Sequence, residues 1–170
     1  MREKSEKKEF IAHCEKHIAM CNELKKFYDE AFLPTLKKFD GKVYNIRFIK
    51  ALREEAQKIN ELLYVKELSG DTIEVEIMSR KFAYTDKETW YIHFPLTDEG
   101  RMSYDLVVNH PTQISWFACL NNNIKEYQHS IENYDEYKAM ADELEAIVEK
   151  YNNLPFPFRR NMSTDYLRIY

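Results

Sequence analysis

The sequence predicts an α+β fold. The expected parts are two N-terminal helices, a central antiparallel sheet of four to five strands, one long or broken C-terminal helix packed on one sheet face, and an extended C-terminal tail. Two observations predict it. Towards both ends of the chain, apolar side chains return every third or fourth residue, the period of a helix with one buried face. Between about residues 62 and 108 they return every second residue, the period of a strand with one covered face. A chain of 170 residues has the size of one domain and can bury roughly 70% of its unfolded surface without a metal or disulfide. Residues 1–170 are therefore read as a single α+β domain.

The first helix is expected over 5–33. Ser5 can cap it, Pro34 ends it, and Phe10, Ile11, Cys14, Ile18, Cys21, Leu24, Tyr28 and Phe32 form its apolar stripe. A second helix follows over 46–60, capped by Asn45, with Ile49, Leu52, Ala56 and Ile59 buried.

The sheet is expected over 62–109. In "TIEVEIM", Ile73, Val75 and Ile77 face one way and Glu74 and Glu76 the other. "TWYIHFP" and "SYDLVVN" alternate in the same manner. A turn at Ser69-Gly70 would pair Leu62 with Ile77 and Tyr64 with Val75. Phe82 and Tyr84 would then stand opposite Ile92 and Trp90, and Tyr104, Leu106 and Val108 would form the last strand.

The helical period returns over 112–152, from Phe117, Leu120, Ile124, Tyr127, Ile131 and Tyr134 to Tyr137, Ala141, Leu144, Val148 and Tyr151. The spacing slips between Tyr134 and Tyr137, and Asn133 with Glu136 resembles a capping box, which favours a break there. Pro155 and Pro157 make the tail, 153–170, extended at its start.

Composition excludes several function classes. Gly41, Gly70 and Gly100 are the only glycines, so no glycine-rich loop can cradle a phosphate and no G-x-S-x-G elbow exists. No cofactor is expected. Three cysteines, Cys14, Cys21 and Cys119, are an odd number without framework spacing, which suits a reducing compartment. The start, "MREKSEKKEF", lacks an apolar run, and no stretch is fit to span a bilayer. A cytoplasmic protein without a membrane partner is expected. The net charge of −4 is uneven, at +4 over residues 1–60, −5 over 61–111 and −3 over 112–170. The simplest use of that asymmetry is internal, with a basic N-terminal helix packed beside an acidic C-terminal one.

Four groups of residues could carry function. The segment "FIAHCEKHIAMC" places His13, His17 and Cys21 in a column on one helix face, a weak alternative metal set. Cys14 and Cys21 lie mid-stripe, however, and free cysteine packs as a small hydrophobe. Glu74, Glu76, His93 and Asp105 would share the open face of the sheet, where carboxylates and an imidazole could hold a divalent cation for hydrolysis. Arg47, Lys50 and Arg53 on the second helix, with Arg159 and Arg160 in the tail, could contact nucleic acid; Glu54 and Glu55 dilute them.

The fourth group is the most distinctive. Tyr, Phe and Trp make up 14% of the chain, and the C-terminal helices interleave tyrosine with acid. Tyrosine buries a ring while keeping its hydroxyl wet, which suits an interface. Tyr127, Tyr134, Tyr137, Glu136 and Glu143 are the expected partner-binding residues. The expected function is a non-enzymatic interaction module of adaptor or inhibitor type, with a protein partner or a homodimer. A metal-dependent hydrolase and a nucleic-acid binder are the alternatives.

Overall fold

Pro34 does not end the first helix. In a computed structural model, which describes residues 2–69, 72–77 and 89–155, helix α1 (Arg2–Phe27) runs into a π-helical turn (Tyr28–Phe32) and on through α2 (Leu33–Phe39). Proline has no N–H, and its ring crowds the carbonyl four residues back. The wider turn answers both, with the Leu33 N–H reaching back five residues to the Tyr28 carbonyl. Pro34 then falls in the first turn of α2, where a missing N–H costs little. The expected N-terminal pair of helices thus gives way to one long helical run over residues 2–39. The shorter α3 (Ile46–Ile59) follows after a loop and belongs with the sheet.

The chain forms two compact units, residues 16–125 and residues 1–15 with 126–170. In the first unit, the Asn45 side chain accepts from the Arg47 N–H and starts α3. Phe48, Ile49, Leu52 and Ala56 make its buried stripe. Arg53 Nε donates to the Val65 carbonyl at 2.8 Å, tying the helix to the sheet. α3 is the helix that lies directly along the first strand, a place expected for the C-terminal helical segment.

Among the described residues the sheet has three antiparallel strands, not four or five: β1 (Leu63–Ser69), β2 (Thr72–Ile77) and β3 (Thr89–His93), in that order. The register is one residue from the expected one. Leu63 pairs with Ile77 and Val65 with Val75, so Leu63 and Val65 are buried while Tyr64 points out. The register shifts again between Glu67 and Ser69, and Ser69 pairs with Thr72. The strand opposite Trp90 and Ile92 is β2, which pairs Val75 with Trp90 and Ile73 with Ile92. Phe82 and Tyr84, expected there, lie outside the described residues.

Residues 104–108 are helix α4 (Tyr104–Val108), not a strand. The Ser103 hydroxyl accepts from the Leu106 N–H, Asp105 sits in the first turn, and Val107 is buried. Over five residues an alternation of apolar and polar groups fits either structure, and the cap decides it.

The C-terminal segment is two helices, α5 (Pro111–Glu132) and α6 (Tyr134–Asn152). Asn133 separates them without acting as a side-chain cap; its amide nitrogen donates instead to the His129 carbonyl at 2.8 Å. Of the tail, Arg159, Arg160 and the rest beyond Pro155 lie outside the described residues.

The core of the larger unit is aromatic. Phe48 stacks on Phe94 with ring centroids 5.1 Å apart, and Phe39 and Tyr44 close around them at 5.6 and 5.7 Å. Phe27, Phe32 and Leu36 from the helical run, Ile73, Val75 and Ile92 from the sheet, and Leu120 from α5 complete it. The loop after α2 is stitched to residues 97–102: Gly41 N–H donates to the Met102 carbonyl and Tyr44 N–H to the Gly100 carbonyl. Gly41 and Gly100 hold φ of 73° and 71°, in the left-handed region that favours glycine.

Replacing Phe48 with Ala empties the middle of this cluster. The expected loss is about 3–5 kcal/mol of unfolding free energy, measured by urea denaturation, with the unfolding slope unchanged.

Candidate interaction surface

The smaller unit shows how α6 uses its two apolar faces. Tyr134, 7% exposed, packs its ring against Phe10 at 5.0 Å, with Cys14 beside them and Ile11, Tyr127 and Ile131 around the edge. Lys7 reaches over the Tyr134 ring at 5.4 Å and bonds Asp135 at 2.7 Å. Val148 is buried further along. These positions form the inward seam.

A second seam faces water. Met140 is 60% exposed, Leu144 45% and Ile147 62%. With the half-buried Tyr137 and Tyr151 they recur at three- and four-residue steps, and the exposed Leu154 continues the spacing in the closing turn. At 100° per residue this seam is centred about 90° round the helix from Tyr134, Ala141 and Val148. Glu136, Glu143 and Lys150 line its solvent side.

The expected partner-binding residues divide between these faces. Tyr127 and Tyr134 belong to the unit's own core. The Tyr137 hydroxyl meets His129 Nε2 at 2.6 Å, leaving its ring at the border of the outer seam. Glu136 and Glu143 are exposed beside that seam. Met140 and Ile147 are missing from the expected set, and Leu144 is expected in the inward one. The available signal is their own three–four spacing, which the neighbouring Ala141 and Val148 obscure.

The other candidates come together less well. Glu74 is only 8% exposed in the central strand, paired across from Lys66 and Tyr91. Glu76 is half-buried on the same strand. His93 lies at the strand end, its ring 4.4 Å from that of His110. The His110 ring is itself held by Thr112, whose hydroxyl lies 2.8 Å from Nδ1, and Gln113 donates to the His93 carbonyl at 3.0 Å. Asp105 sits exposed on α4 and so is not on the sheet face at all, because residues 104–108 are helical. Among the described residues no three His, Cys, Asp or Glu side chains are grouped to hold a metal ion.

His13 and His17 are half-buried on α1, and Cys21 is 2% exposed in the hydrophobic core. Burial, and then the charge of Glu15, push the Cys14 thiol above its usual range. Arg47 and Lys50 are exposed on α3, whereas Arg53 is engaged with the Val65 carbonyl. No helix among the described residues is long and apolar enough to cross a membrane.

Comparison with known proteins adds no further constraint: no family model, no curated protein and no solved structure matches the chain.

Two chemical tests follow from these environments. Cys119 is exposed and Cys14 and Cys21 are buried, so a thiol reagent such as DTNB is expected to titrate one cysteine in the native protein and three in denaturant. Tyr44 lies against Phe48 and Phe94, and burial followed by its hydrogen bond to Glu67 raises its pKa; burial raises that of Tyr28 as well. Both groups favour the folded state while the phenol stays protonated. That contribution is complete below the ordinary phenol value near pH ~10 and is lost as pH rises through the higher folded values. The urea midpoint is expected to fall above that pH, and Tyr44→Phe to flatten the fall.

Proposed function

We propose that the protein is a non-enzymatic interaction module and that the outer seam of α6 is its working surface. The observation that carries this reading is the row Met140, Leu144 and Ile147, exposed on a helix whose other apolar face is already packed. Apolar area left in water is a standing source of binding free energy, worth about 25 cal/mol for each Å² covered. The steps of three and four are those by which one helix packs into another, so a partner helix of matching spacing fits the seam. Glu136 and Glu143 on its margin favour a partner with basic groups at the rim.

The test is site-specific photo-crosslinking of the full chain in the cells that express it. A benzophenone amino acid at position 140 or 147 is expected to give adducts of discrete mass, and the same group at Lys50 on α3 to give none. Equal background labelling at all three positions would overturn the proposal.

A further inference from the structure

We infer that the outer seam of α6 is covered by α6 of a second copy of this chain, the two helices running antiparallel. The inference rests on the interaction-module reading and names its partner. Placing Leu144 against Ile147 of the second copy also places Met140 against Tyr151 and Tyr137 against Leu154. Every large apolar residue of the seam then meets another, and the two-fold relation repeats each pair. From Tyr137 to Leu154 the seam is about 26 Å long at ~1.5 Å per residue.

In this alignment Glu143 of each copy lies beside Lys150 of the other, giving two complementary ion pairs at the rim. Glu143 and Lys150 belong to one helix but stand two turns apart, about 10 Å, too far to pair with each other. Neither makes an ion pair among the described residues. Lys138, the other lysine of the helix, is already engaged by Asp142. A parallel arrangement would set Glu143 beside the apolar Val148 and leave Lys150 without a carboxylate. The antiparallel one also opposes the two helix dipoles.

The seam has about two and a half heptads, short for a free coiled coil. The inner face of α6 is already fixed by Phe10 and Cys14 against Tyr134, so association need not order the helix from a disordered start.

The experiment is light scattering after size exclusion, with sedimentation equilibrium, on the purified full chain. Wild type is expected at twice the 20.5 kDa chain mass at micromolar concentration. The double variant Leu144→Glu, Ile147→Glu is expected to be monomeric with unchanged circular dichroism, because both side chains are exposed in the single chain, and with a melting temperature that no longer rises with protein concentration. Glu143→Lys or Lys150→Glu alone brings like charges together twice per dimer and is expected to weaken association about tenfold. The two changes combined restore the pairing and the wild-type affinity.

A wild-type chain that stays monomeric overturns the dimer. The interaction reading would then still stand if the photo-crosslinked adducts at positions 140 and 147 had a mass other than twice the chain's. A dimer that survives Leu144→Glu, Ile147→Glu overturns the placement on this seam. A dimer lost in that variant but not restored by the charge exchange overturns the antiparallel alignment.

Discussion

The larger unit depends on the stack of Phe48 on Phe94. It joins α3 to the chain leaving β3, two pieces brought together only by folding, and it is entirely shielded from water. Around it the arrangement is over-determined. Arg53 bonds the β1 backbone on one side, and the Asp40 carboxylate caps the start of α4 by accepting from the Tyr104 N–H on the other. The paired stretches at residues 41–44 and 100–102 close the end, with a glycine on each side supplying the backbone turn. Burial of these rings together with the aliphatic residues around them drives the packing, and the polar ties set orientation.

The smaller unit solves a different problem. Three helical stretches have few apolar residues on faces otherwise rich in Lys, Glu and Asp. Tyr134 compensates by size: one ring covers Phe10, Cys14 and the approach of Lys7. That economy leaves α6 with more apolar residues than its own unit covers. The surplus is ordered along one line of the helix, which separates it from the scattered exposed hydrophobics found on any protein surface.

Much of the local structure is legible in the residues. Asn45 followed by Ile49, Leu52 and Ala56 reads as a capped amphipathic helix, and Ile73, Val75 and Ile92 read as one face of a sheet. Cys14 and Cys21 on an apolar stripe read as core thiols. The failures have physical reasons. A proline in a helical pattern reads as a stop, because the compensating wide turn has no residue signature of its own. Five residues of alternation at 104–108 are too few to separate strand from helix, and the decisive Ser103 cap is a matter of geometry. The β1 register depends on an irregularity near Leu68 that no periodicity announces. On α6 two apolar seams lie side by side, and spacing alone does not say which one the chain itself will cover. The candidate surface is visible as tyrosine and acid, but its most exposed members are Met140 and Ile147.

The turn at Tyr28–Phe32 has a consequence for how this segment tolerates changes in length. A π turn holds one residue more than the α turn it replaces, so it behaves as an insertion absorbed without re-phasing the helix on either side. Loss of one residue there would leave Leu24 and Leu36 still facing inward, yet would return Pro34 to an ordinary turn whose carbonyl its ring obstructs. The surplus residue and the imino acid are thus a matched pair, and a lineage that discards one has reason to discard the other.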